Sequence, residues 1–252
     1  MQAFLLAAAL ALGPQEPAPA TAAMGFPWQD LRFSWSLIGP DGPEPQGVWE
    51  LQTLRLPSGR SHVLLLRDRL RSPDGRVDFL YQTWVRPDDH LRLIRLEAGG
   101  RSPGSRRLPL EAAVEHGLLL GVRGGHAFRT DLRDQEPLNE FVLMRLVSLL
   151  SRRKGSRMEV DWLSGQDLKL LGRHELVCAG EAEAPDGSPS WRYDLERLPD
   201  HDRVLRLWVS REDRQLLRME GPGRLVLQRL PAAPAEPGEA EASSKAGASP
   251  GG

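Results

Sequence analysis

Two short stretches carry residue patterns that chemistry uses. Gly100-Arg-Ser-Pro-Gly104 has the letters of a nucleophile elbow, Gly-x-Ser-x-Gly. Such an elbow needs a helix after the serine, and its oxyanion hole uses the N–H of the next residue. Here that residue is Pro103, which has no N–H to give, so the stretch reads as a turn. His174-Glu-Leu-Val-Cys178 begins like a zinc-protease helix, but Cys178 stands where the second histidine belongs. The run is also strand-like, and residues four apart on a strand do not build that site. The six histidines, at 62, 90, 116, 126, 174 and 201, are dispersed. His90 and His201 stand beside Asp in loops, where acid–base work or plain turn chemistry would both fit. Paired carboxylates of a glycoside hydrolase meet only in three dimensions, and no spacing argues for them. The single cysteine, Cys178, excludes an intrachain disulfide and reads as a small buried side chain. No catalytic residue, metal ligand or cofactor is expected.

The aromatic residues say more. The chain has seven Trp but two Tyr. Trp35, Trp84, Trp162, Trp191 and Trp208 all fall in strand-like runs. Most read as core, and some could line a groove for an apolar or sugar ligand.

The elements that must position these residues are mostly strands. "LRFSWSL" sets Leu31, Phe33, Trp35 and Leu37 against Arg32, Ser34 and Ser36. "RVDFLYQTWVR" puts Val77, Phe79, Tyr81, Thr83 and Val85 on one face. "RMEVDWL" and "SWRYDLER" alternate in the same way. A period of two places one face on a core and the other in water, as in antiparallel sheets. Pro-Asp-Gly recurs within 39–43, 72–76 and 184–188, each between strand-like runs, and predicts hairpin turns. The loops at 86–93 and 198–207 resemble one another and read as solvated turns rather than calcium loops. In 99–136, "LPLEAAVEHG" fits a short helix or a strand, and "LLLGVRGGHAFRTDL" a hairpin with Gly124-Gly125 at its tip.

One stretch departs from this pattern. "LNEFVLMRLVSLLSRRKG", 138–155, predicts a long amphipathic helix, with Asp134 as N-cap and Gly155 as the stop. Leu138, Val142, Leu143, Leu146, Val147, Leu149 and Leu150 would cover one half of it. Glu140, Arg145, Ser148, Ser151 and Arg152 would form the polar arc, with Phe141 and Met144 inside that arc. So wide an apolar face must lie against a sheet.

The ends bound the folded body. The apolar run 3–12 in "MQAFLLAAALALG" is shorter than the roughly 20 residues that span a bilayer. It suits a secretory signal peptide, with small residues in "APATAA" before a cleavage site, although no Lys or Arg precedes it. The expected organisation is a signal and Ala/Pro segment over 1–23, one β-rich domain over 24–230, and a disordered Ala/Pro/Gly/Glu tail over 231–252. With 33 basic and 34 acidic residues intermixed, nothing points to nucleic acid. Lys occurs only at 154, 169 and 245, an Arg bias that reads as base composition. No transmembrane span is expected.

From 139 to 230 the order of features resembles a bacterial family, domain-of-unknown-function family 3108. The matching features are "FVLMRLVSLLSRRKG", the strand "RMEVDWL", Gly172 with Glu175, Gly187, "LRLWVSRED" and "LLRMEGPGRLVLQRL". The Gly-to-Glu spacing is one residue longer than that pattern. The resemblance implies an exported protein similar to lipoprotein-carrier half barrels of LolA and LolB type, and it carries no catalytic residue. The expected fold is therefore mainly β: a curved antiparallel sheet, a half barrel, with the helix on its concave face. The expected function is non-enzymatic binding of a lipid, acyl chain or other apolar ligand between sheet and helix, in the periplasm or outside the cell. Phe141, Leu143, Met144, Val147, Trp84, Trp162 and Trp208 are the candidate ligand contacts. An envelope protein-interaction module with a filled core is the alternative, and a hydrolase the minor one.

Overall fold

The computed structural model describes residues 30–231 apart from 40–41, 59–60, 88–90, 102–108, 133–136, 166–167 and 222–224. The expected signal segment, all but the first residue of the expected tail, His90, Asp134 and the centre of the elbow-like turn lie outside the described residues.

Period-two patterning yields strands β1 (Leu31–Gly39), β2 (Gly42–Ser58), β3 (Ser61–Arg71), β4 (Asp78–Val85) and β5 (Leu93–Arg101). The strands β6 (Leu110–Glu115), β7 (Leu118–Arg123), β8 (His126–Asp131) and the two-residue β9 (Pro137–Leu138) follow. After helix α1 (Glu140–Leu146) come β10 (Arg157–Leu163), β11 (Leu170–Glu183), β12 (Pro189–Arg197), β13 (Asp202–Ser210), β14 (Leu216–Glu220) and β15 (Leu225–Arg229). All fifteen strands form one open sheet, ordered β8 back to β1, then β15 back to β9. Two antiparallel meanders thus join where β1 pairs with β15, with Trp35 opposite Leu227. The β9–β10 pair is parallel.

The turn chemistry works as the sequence implies. Asp74 Oδ1 accepts the Arg76 N–H at 3.0 Å, and Asp186 Oδ1 accepts the Ser188 N–H at 3.0 Å. Gly75 and Gly187 follow at φ of 67° and 84°, a region that costs glycine little. The third Pro-Asp-Gly falls partly at 40–41, outside the described residues. Of the two readings for "LPLEAAVEHG", the strand is correct over Leu110–Glu115, and the hairpin of β7 and β8 turns at Gly124–Gly125.

The helix differs from expectation in length, cap and environment. It is seven residues long, not a run to 155. Asn139, not Asp134, is its cap, accepting the Val142 N–H at 2.9 Å. Pro137 and Leu138 pair instead with Asp161 and Trp162 of β10. At the far end Ser148 and Leu149 bond back only three residues, to Arg145 and Leu146, which tightens and ends the helix. Every residue from Phe141 to Ser148 is buried, Arg145 and Ser148 included. The expected polar arc does not exist, because the sheet lies on more than one side of the helix. Leu64, Leu66 and Tyr81 of the first meander and Leu176, Tyr193 and Leu207 of the second share one core with α1. A second core joins Leu96, Leu110 and Leu119 to Leu163 and Leu168. The sheet therefore curls until β5–β7 pack against the end of β10. A seven-residue helix is not stable alone. Its buried apolar side chains, each worth roughly 1.5–3 kcal/mol, hold it in place. Among the described residues no helix is long and apolar enough to cross a membrane.

Candidate functional site

The curl leaves a cavity of about 470 Å³ beside the start of α1. Its walls come from both meanders. Trp49, Phe79 and Tyr81 stand on β2 and β4, which the alternation of β4 turns inward. Phe141 projects from α1, Trp162 from β10, and Trp35 from β1. Val204, Leu205, Met219 and Leu225 complete an apolar wall. Leu37 and Leu171 also line it while 41% and 46% exposed, so these two mark its open side.

The aromatic rings brace one another. Phe141 stacks on Tyr81 at 4.4 Å between ring centroids, and its ring lies 5.9 Å from that of Trp49. Phe79 stacks on Tyr81 at 6.0 Å. Trp49 Nε1–H donates to Asp68 Oδ1 at 3.2 Å, which satisfies the one polar atom of that ring. Trp162 lies 6.1 Å from the ring of His174. His174 is buried, and that burial holds its pKa below the ordinary 6.5. The neutral ring donates Nδ1–H to the Gly172 carbonyl at 2.9 Å, the only role a carbonyl partner allows. Burial also pushes the Tyr193 phenol up.

Polar groups on the cavity wall are few. Glu140 Oε2 accepts the Gly165 N–H at 3.1 Å, tying the turn after β10 to the helix start. Gly165 is required there, since a Cβ would sit 2.4 Å from Phe141 Cε2. Ser164 is the neighbouring hydroxyl.

Other polar groupings are explained by pairing. A depression of about 660 Å³ holds Arg32, Glu50, Arg69 and Asp78, in which Arg32 meets Glu50 at 3.6 Å and Arg69 meets Asp78 at 2.9 Å. Glu175, Glu196 and His201 bring ligand-type atoms within 4.8 Å of one another. Glu175 and Glu196 lie on the strand face opposite core residues Leu176 and Leu195, and His201 stands in the turn between β12 and β13. Arg157 holds Glu175 at 2.6 Å, and His201 Nδ1 lies 3.2 Å from Glu196.

Of the seven residues expected from sequence, the structure brings Phe141 and Trp162 to the cavity. Leu143, Met144 and Val147 are buried in the helix packing rather than on the described cavity wall. Trp84 and Trp208 lie on the other face of the sheet. Arg95 stands 5.2 Å from the Trp84 ring, and Arg206 and Arg218 stand 5.8 and 5.9 Å from that of Trp208. Trp49, Phe79 and Tyr81 were not singled out as contacts. For Phe79 and Tyr81 the signal was there: consecutive aromatic residues on the inward parity of one strand.

No protein-family model matches the chain, and no curated protein matches it. Among solved structures it is similar to the β-barrel-like protein of domain of unknown function DUF1849 from Brucella abortus. Identity is 10%, the match covers 80% of this chain and 94% of that one, and the TM-score is 0.47. No residue role carries over from it.

Proposed function

We propose that this protein is a non-enzymatic carrier or receptor that holds an apolar or amphiphilic ligand in the aromatic cavity beside α1. The cavity is the observation that carries the reading. Its 470 Å³ lies within the ~300–1,000 Å³ usual for small-molecule sites. Its walls are mainly apolar, and exposed Leu37 and Leu171 give a tail a greasy entrance. Each ligand methylene taken from water would contribute about 0.8 kcal/mol. In this reading the curled sheet is a half barrel, and α1 is the plug that forms one wall of the site. The apolar run at 3–12 would direct the chain out of the cytoplasm, as the resemblance to family 3108 implies.

Mass spectrometry of organic extracts of the purified protein tests this. Wild type should release a co-purified amphiphile, and Val204→Trp, which fills the cavity from a half-buried wall position, should release none while staying folded. Folded wild type that yields nothing and takes up no neutral apolar probe would contradict the reading and favour a protein-interaction role.

A further inference from the structure

We infer that the depression on the outer face of the first meander is a second binding site, for a small organic monocarboxylate held by Arg67. The depression, of about 660 Å³, crosses β1 to β5. Asp78 and Leu80 reach it from the strand parity opposite Phe79 and Tyr81. It therefore lies on the other face of the sheet from the apolar cavity, and its test stands apart from that reading. Three arginines line it. Arg32 meets Glu50, and Arg69 donates to both oxygens of Asp78 at 3.0 and 2.9 Å. Arg67 has no acid and no side-chain hydrogen bond among the described residues, and its Nε is buried. The register explains why. Gln52 on β2 and Gln82 on β4 stand directly opposite Arg67, so neither neighbouring strand supplies a carboxylate there. Glu50, diagonal to it, is taken by Arg71 at 2.6 Å. Asp30 accepts the Thr53 N–H and the Gln52 amide.

A half-buried cation gives up water that the sheet does not replace here. An entering carboxylate supplies both the opposite charge and the acceptors, and the planar guanidinium matches it with paired N–H donors. The rest of the wall sets the charge and size of the ligand. With Arg32 and Arg69 paired, Arg67 is the one uncommitted cation among the described wall residues, and Asp30, Glu50 and Asp78 share that wall. One negative charge is matched there. The second charge of a phosphate monoester would meet only those acids. Half-buried Leu80 and the bare backbone of Gly99 leave room for a compact apolar body, since a Cβ on Gly99 would meet nothing within 4 Å.

The experiment titrates 4-fluorobenzoate, 4-fluorobenzamide and 4-fluorophenyl phosphate at low salt, followed by fluorine NMR, with circular dichroism to confirm that each variant is folded. Wild type should bind the benzoate on the order of tenfold tighter than the neutral amide, and tighter than the phosphate. Arg67→Gln should close the gap between acid and amide to within about twofold. Gly99→Leu, which fills open space from a backbone position outside the left-handed region, should weaken both ligands. Val204→Trp, which fills the apolar cavity instead, should change neither. Equal binding of benzoate and amide by wild type, no binding of either, or a gap that survives Arg67→Gln would overturn the inference and leave Arg67 a solvated surface arginine. Tighter binding of the phosphate would overturn the monocarboxylate assignment. Loss of benzoate binding in Val204→Trp would overturn the location and place that ligand in the apolar cavity.

Discussion

Arg145 Nη1 lies 2.7 and 2.9 Å from the two carboxylate oxygens of Asp68, with the side chains 3% and 0% exposed. The same guanidinium donates to the carbonyls of Phe141 at 3.0 Å, Gln52 at 3.2 Å and Arg67 at 3.4 Å. The pair therefore clamps α1 to β2 and β3, and through Trp49 Nε1 on Asp68 it also braces a wall of the cavity. Burial is the larger effect and holds the Asp68 carboxyl above its ordinary value, although the Arg145 charge and the hydrogen bonds from Arg145 and Trp49 lower it in part.

Breaking this pair from one side should be far worse than removing it whole. Arg145→Met leaves a buried carboxylate without its cation and should cost about 3–5 kcal/mol. Asp68→Leu combined with Arg145→Met should recover much of that, held back by the Trp49 N–H left without an acceptor. Urea unfolding of the two single variants and the double variant gives the coupling. Additive losses would show that the pair does not act as a unit.

His174 should make stability depend on pH. Burial first, then the charge of Arg197, outweigh Asp161 and the Gly172 bond and keep its folded pKa below 6.5. The unfolded chain, near that ordinary value, takes up the proton first. Stability is then complete above about pH 6.5 and is lost as pH falls towards the folded pKa, by up to ~1.4 kcal/mol per pH unit. His174→Asn, whose amide can still donate to the Gly172 carbonyl, should flatten this part of the profile. Unfolding midpoints at a few pH values below and above 6.5 decide it, and parallel profiles for variant and wild type would remove His174 from the account.

The tryptophans should divide by face. Trp162 lines the cavity, whereas Trp84 and Trp208 pack under arginines on the other side of the sheet. Ligand-induced change in fluorescence should shrink in Trp162→Phe and persist in Trp84→Phe and Trp208→Phe. Loss of the signal in the Trp84 variant instead would place the ligand on the outer face.

Much of the sheet could be read directly, because β4 writes its burial in alternate residues and Pro-Asp-Gly marks its turns. The helix was harder to bound. Leu149, Leu150 and Arg152 continue a helical pattern in letters, yet the chain leaves the helix at Val147, and the Ser151 carbonyl accepts the Tyr193 hydroxyl at 3.2 Å. That partner is remote in sequence, as is Asp68 for Arg145, so a buried arginine looked like a solvent-facing one. Trp84 was legible: it sits on the opposite parity from Phe79 and Tyr81. Trp208 was less so, since buried Leu207 and Val209 flank it. The cavity itself needs the curl, which joins strands from both meanders and has no local signature.

The most direct measurement is a titration of N-phenyl-1-naphthylamine into wild type and Val204→Trp, with circular dichroism to confirm that both are folded. Saturable binding near one probe per wild-type chain, absent from the filled variant, is the expected result. Equal binding by both proteins, or none by folded wild type, would contradict a ligand site in the cavity.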